Sequence, residues 1–165
     1  MLVIAADPGL TGALCLLGED VLELYDLPVC GNGQESGSMR NWLDVQVLRE
    51  QLLEWSGRHE FARVPVHAVL ERPVAMPKLP AQTVAAQFDT VGVLRTLLWL
   101  TADKLDLVNP REWQKPFGLG GDKAGSRKVA STLYPAAAER LARVKDHNRA
   151  ESLLIAHFHR RRLLG

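Results

Sequence analysis

Four acidic residues stand where a carboxylate is costly to place. Asp7 closes the apolar run Leu2-Val3-Ile4-Ala5-Ala6 and is followed at once by Pro8-Gly9. Glu71 closes Val66-His67-Ala68-Val69-Leu70 and is followed by Arg72-Pro73, while Asp146 and Glu151 lead into the apolar run Leu153-Leu154-Ile155-Ala156. A carboxylate left unpaired at the rim of an apolar core costs roughly several kcal/mol, so each must be ion-paired, hydrogen-bonded or bound to a cation. Oxygen ligands without a Cys/His cluster suit a hard ion, Mg2+ or Mn2+, rather than zinc. Two such ions ~4 Å apart, held by three or four carboxylates, can activate a water and stabilise a leaving oxygen in phosphodiester hydrolysis. Simpler duties compete: Asp7 as a turn-former, Glu71 as the partner of Arg72 or another base, Asp146 and Glu151 as complements to a helix dipole.

The elements that must carry these acids are legible in the hydrophobic pattern. Apolar runs bounded by turn residues predict three hairpin-linked strands between residues 2 and 27, with Pro8-Gly9 and Gly12 reversing the chain after Asp7. Gly31, Gly33 and Gly37 with Asn32, Gln34 and Ser36 predict a flexible loop over 28–41. A helix over 43–56 follows, started at Asn41 or Asp44, with Leu43, Val47, Leu48, Leu52 and Trp55 as its apolar stripe. Val66 to Glu71 is a fourth strand stopped by Pro73, and Pro73, Pro77 and Pro80 stiffen the loop into an apolar helix over 82–101. Residues 105–108 make a short fifth strand before Asn109-Pro110, and 111–115 a helical turn. The glycine-rich stretch 117–125 ends at Ser126, a candidate cap for a helix to about 133. Pro135 opens another turn, and the last helix covers 148–162. The order βββαβαβα implies one α/β domain: a five-stranded mixed sheet, three antiparallel strands then two parallel, flanked by helices on both faces. If strands one and four run parallel side by side, their C-terminal ends lie about 5 Å apart and Asp7 and Glu71 face one spot.

Composition narrows the class. A chain of 165 residues can bury a core without disulfides. Cys15 sits in an apolar strand and Cys30 in a loop, neither in ligand spacing, so a reducing cytoplasm is expected. There is no secretion-signal pattern and no bilayer-spanning stretch, so no membrane association is expected either. Residues 1–103 carry 7 Lys/Arg and 13 Asp/Glu, whereas residues 104–165 carry 13 and 6. That polarity predicts an electropositive C-terminal face suited to a polyanion.

Asp7-Pro8-Gly9 with Thr11-Gly12, Glu71-Arg72-Pro73, Val108-Asn109-Pro110 with Trp113, and Asp146-His147-Asn148-Arg149-Ala150-Glu151 run through the whole chain in order. Together they resemble the RuvC-type Holliday junction resolvases, most closely the short forms of phage type. The resemblance implies a ribonuclease H-like fold, a homodimer, and Mg2+-dependent nicking of two strands at a four-way or branched DNA junction. It implies two ions per active site, with Mn2+ able to substitute and no small-molecule cofactor. It maps an acidic tetrad, both catalytic and metal-binding, onto Asp7, Glu71, Asp146 and Glu151. One departure stands out: many bacterial members space the last two ligands three residues apart, and here that place is held by Asn148, a poor ligand.

Spacing leaves the fourth ligand open. At about 100° per residue, Asp146 and Glu151 would lie about 140° apart on one helix but His147 and Glu151 only about 40°. Either Asp146 stands just before the helix, the expectation adopted here, or His147 makes the contact. Lys115, Lys123, Arg127 and Lys128 flank the glycine-rich stretch and are the expected phosphate contacts. Arg160-Arg161-Arg162 could touch a DNA arm or simply suit a helix C-terminus, and the latter is the expectation. Met76 and Phe88 could wedge into a junction or simply pack, and helix 82–101 is either core or a dimer face. Rival readings are a nuclease acting more broadly on branched DNA or RNA-containing duplexes, and a non-catalytic junction-binding module. A kinase-like ATPase, which also carries Asp-x-Gly in a first hairpin, would need a second lobe.

Overall fold

The computed structural model describes residues 1–31, 41–72, 80–120 and 123–165, apart from the side chains of Gln82 and Lys123. Its main sheet contains β1 (Leu2–Asp7), β2 (Ala13–Leu17), β3 (Leu22–Asp26), β6 (Val66–Glu71) and β7 (Lys104–Val108), in the order β3-β2-β1-β6-β7. The first three strands pair antiparallel, and β6 and β7 add on parallel to β1. This is the expected mixed sheet. The helices are α1 (Val45–Arg58), α2 (Ala81–Thr101), α3 (Pro110–Gln114), α4 (Lys123–Leu133) and α5 (His147–Leu164), with 3-10 turns at Lys115–Phe117, Pro135–Leu141 and Val144–Asp146.

Strand alternation divides the core into two layers. Leu2, Ile4, Ala6, Val66, Ala68 and Leu70 pack with Leu48, Leu52 and Trp55 of α1 and Leu94 and Leu98 of α2. Val3, Ala5, Cys15, Val69 and Val108 face the other way, against Trp113, Ala130, Leu153, Leu154, Ile155 and Ala156. By the same alternation Asp7, two places after Ala5, and Glu71, two after Val69, belong to the face that α5 covers.

Three expectations need correction. The stretch 28–41 was expected to be loop throughout, yet β4 (Val29–Gly31) and β5 (Asn41–Leu43) pair as a small antiparallel sheet; its intervening residues, with Asn32, Gly33, Gln34, Ser36 and Gly37, lie outside the described residues. Leu43 consequently belongs to β5 rather than to the helix stripe, and α1 starts after Asp44, whose carboxylate accepts the Val47 N–H at 3.1 Å. Val47 is exposed. Ser126 does not cap α4 but lies inside it, three residues beyond its start at Lys123, and is buried. Pro73, Met76 and Pro77 lie outside the described residues. Helix α2 serves the core through Leu94 and Leu98, while Phe88, Trp99 and Leu100 are exposed.

Candidate active site

The sheet brings Asp7 and Glu71 side by side. The parallel ladder pairs Ala6 with Leu70, so the next residue on each strand places the two carboxylates on neighbouring strand ends, about 5 Å apart in backbone. Asp7 is 7% exposed. The chain after it turns through Gly9 at φ 141°, and Gly12 donates its N–H to the Gly9 carbonyl at 3.0 Å. A Cβ on Gly12 would meet the Asp7 carbonyl at 2.1 Å, so only glycine lets the turn fold back this tightly over the acid.

Helix α5 supplies the third acid. The Asn148 amide donates to the Thr11 carbonyl, docking the first turn of α5 on the hairpin that follows Asp7. Asn148, in the place where a ligand was expected, thus positions the helix. Glu151 sits one turn in and accepts the Ser126 hydroxyl at 3.3 Å. Its negative charge reaches Glu71, whose carboxyl is pushed up to about 7, chiefly by burial and further by Glu151, against the lowering effect of a hydrogen bond from Trp113. That bond runs from the indole N–H of Trp113, itself fully buried, to Glu71 Oε2 at 2.5 Å.

Asp146 is placed differently from Asp7, Glu71 and Glu151. It ends the 3-10 turn before α5 and is 2% exposed. The Arg143 backbone N–H donates to Oδ2 at 2.8 Å and the Arg143 guanidinium to Oδ1 at 2.8 Å, with Arg149 Nη1 3.7 Å from Oδ1. Those contacts, the Arg143 hydrogen bonds first, hold its carboxyl below the usual range. Arg149 also grips Asp26 through two contacts of 2.5 Å. Asp26 pairs with Ala13, which pairs with Asp7, so Arg149 links Asp146 to an acid two strands from Asp7. His147 opens α5, and its Nδ1 lies 3.1 Å from the Val144 carbonyl. A carbonyl only accepts, so Nδ1 is the donor in this contact.

Among the described residues, no three His, Cys, Asp or Glu side chains converge as a ready-made ion cage. The donor set nevertheless suits a hard cation. Mg2+ keeps several waters and is commonly held by one or two carboxylates plus substrate phosphate, and the mutual effect of Glu151 on Glu71 marks negative charge that a cation would neutralise.

Of the expected phosphate contacts, Lys115 and Lys128 are exposed. Arg127 is partly engaged, donating to the Ala142 carbonyl at 3.1 Å. Lys123 opens α4, and its side chain lies outside the described residues. Sequence reasoning offered Arg72 or another base as a partner of Glu71 and did not find Trp113 for Glu71 or Ser126 for Glu151, which lie 42 and 25 positions away.

No protein-family model matches the sequence, and no curated protein matches it significantly. Solved structures do share its fold. The RuvC of Thermus thermophilus in complex with a Holliday junction substrate superposes with a TM-score of 0.63 at 17% identity, over 98% of this chain and 96% of that one. A second Thermus thermophilus RuvC structure gives 0.57 at 19% identity over the same shares. The yeast mitochondrial Holliday junction resolvase Ydc2 gives 0.52 at 16% identity, over 94% of this chain and 76% of that one. The strand order, the placing of the helices and these superpositions agree: the chain has the ribonuclease H-like fold of the RuvC-type resolvases.

Proposed function

We propose that the chain is a metal-dependent endonuclease that resolves four-way DNA junctions by paired nicks. The observation that carries this reading is the placing of Asp7 and Glu71 on neighbouring strand ends, with Glu151 acting on the buried Glu71. Asp7, Glu71 and Glu151 are the proposed ligands of two Mg2+ ions, replaceable by Mn2+, which would supply an activated water and charge stabilisation at phosphorus. His147 is proposed as the fourth ligand in preference to Asp146. Both Asp146 oxygens are held by Arg143, whereas His147 opens α5 one helical turn before Glu151. A ligating histidine whose other ring nitrogen donates to a backbone carbonyl is a recurring arrangement.

The chain's own groups prepare the site. Trp113 fixes one oxygen of Glu71, and Ser126 fixes one of Glu151. Asn148 holds the start of α5 against the Asp7 hairpin. Lys115, Lys123, Arg127 and Lys128 would grip phosphates beside the acids and orient a strand without reading its sequence. The two scissile phosphates of a junction are related by an approximate two-fold, which suits an isologous homodimer. The exposed Phe88 on α2, beside a 530 Å³ groove that Val45, Val93 and Leu97 also line, is the proposed dimer face.

The deciding experiment compares nicking of a synthetic four-way junction, a fork and an RNA–DNA hybrid duplex, each with and without Mg2+. The reading expects Mg2+-dependent paired nicks on the junction, lost in Asp7→Asn and Glu71→Gln. Preference for the fork or hybrid would assign a broader nuclease. Metal-independent junction binding with no cutting would assign a binding module.

A further inference from the structure

A second site lies well away from the acids. Helix α5 carries His157 and Arg161 one turn apart, and Phe158 and Arg162 likewise. Against this stripe lie Val129 and Leu133 of α4 and Pro116 and Phe117 of the 3-10 turn. Together these eight residues line a cavity of about 640 Å³, within the range that ligands fill. Its floor is apolar: Phe117, Val129 and Phe158 are half-buried, and Leu133 remains 42% exposed. The floor is also well supported. The Tyr134 hydroxyl meets His157 Nδ1 at 2.8 Å, and the rings of Phe117 and Tyr134 both pack edgewise on His157.

Its charge is one-sided. Burial, with the neighbouring Arg161 and Arg160, lowers the pKa of His157. Arg161 and Arg162 stand exposed at the rim, the latter lying 5.5 Å over the Phe158 ring and 3.9 Å from Glu112. No Asp or Glu is among the lining residues. An apolar floor with an exposed leucine and a guanidinium rim complements a ligand bearing both large apolar side chains and negative charge. A duplex arm supplies only the charge, and its phosphates would leave the floor uncovered.

We propose that this groove is a docking site for an acidic peptide segment of a partner protein, one or two of whose large apolar side chains fill the cleft while its carboxylates meet Arg161 and Arg162. Arg161 lies ten positions beyond Glu151 on α5, about 15 Å along the axis, so the groove can be occupied while the acids work on another ligand. Recruitment and cutting would then be separable functions of one domain.

Fluorescence anisotropy with a fluorescein-labelled peptide of four aspartates followed by Phe-Leu tests this. Saturable binding is expected, weakened about tenfold or more by the double variant Arg161→Gln with Arg162→Gln and, separately, by Leu133→Ser, both folded by circular dichroism. The same peptide with serines replacing Phe-Leu, and one with lysines replacing the aspartates, should each bind more weakly. Affinity for a four-way junction should be unchanged in both variants. Absence of saturation up to ~1 mM overturns the proposal, as does equal binding of the lysine or serine peptide. Loss of junction affinity without loss of peptide affinity would assign the arginines to a DNA arm instead.

Discussion

The indole N–H of Trp113 donates to Glu71 Oε2 at 2.5 Å, joining the short helix α3 to the end of β6 across 42 residues. A buried carboxylate with a single fixed oxygen keeps its rotamer, and its second oxygen is presented in a defined direction. The hydrogen bond also favours the charged form, opposing burial and Glu151. Trp113→Phe keeps an aromatic ring in the core but removes the donor and part of the packed volume. Loss of a hydrogen bond to a charged group costs about 1.5–3 kcal/mol, and the Glu71 pKa should rise further. The variant is expected to melt lower at pH 8, and its nicking should fall most near neutrality and recover in part at higher pH. A pH–rate profile of unchanged shape would remove Trp113 from the control of Glu71.

Glu71 gives the fold a pH dependence of definite sign. Its carboxyl is raised from 4.5 to about 7 in the folded chain, so between those values the folded state holds a proton that the unfolded state releases. The Glu71 contribution to stability is therefore greatest below about pH 4.5, declines as pH rises toward 7 and then levels, with a loss of about 3 kcal/mol from this group. Glu71→Gln should abolish most of this decline and be more stable than the wild type at pH 8. Thermal melts of both proteins from pH 5 to 8 measure it; parallel curves would contradict the assignment.

A divalent cation should reverse the same penalty. With Mg2+ at about a hundred times its dissociation constant, binding to the folded state alone adds about 2.7 kcal/mol. The melting temperature at pH 8 should thus rise with Mg2+ and return on chelation. The rise should be lost in Asp7→Asn, Glu71→Gln and Glu151→Gln. An equal rise in all three would place the ion elsewhere.

Much of this arrangement is readable from sequence because it depends on local patterns. The apolar runs over residues 2–26, the proline stops in the sequence after Glu71 and Val108, and the apolar periods of the last helices predict a mixed sheet in which two acids end their strands. The side-chain partners are not readable in that way. Trp113 meets Glu71 only because β6 and β7 pair Glu71 with Val108, which brings α3 over the strand end. Ser126 looks like a cap, since its type and its place after glycines suit one, but α4 begins earlier and turns the hydroxyl toward Glu151. The β4-β5 pair gives little signal because its strands are three residues each and largely exposed. Asp146 reads as a ligand by position, and only the fold shows Arg143 and Arg149 converging on it.

Asp146 therefore offers the sharpest division between structural and metal roles. Its partners link the 3-10 turn at Val144–Asp146 to α5 and, through Arg149, to Asp26 at the end of β3. Arg143 and Arg149 lower its carboxyl below 3.8, so its contribution to stability is complete above that value and is lost only as pH falls through the still lower folded pKa. Asp146→Asn should lower the melting temperature by the same amount at every pH from 5 to 8, unlike Glu71→Gln, whose effect grows with pH over that range. It should keep the Mg2+-dependent rise in melting temperature and most of its nicking. His147→Ala should do the reverse, melting near the wild type without Mg2+ and losing the Mg2+ response. Melts with and without Mg2+ at two pH values separate the cases. An Asp146→Asn protein of unchanged stability that no longer responds to Mg2+ would return the ligand role to Asp146 and take it from His147.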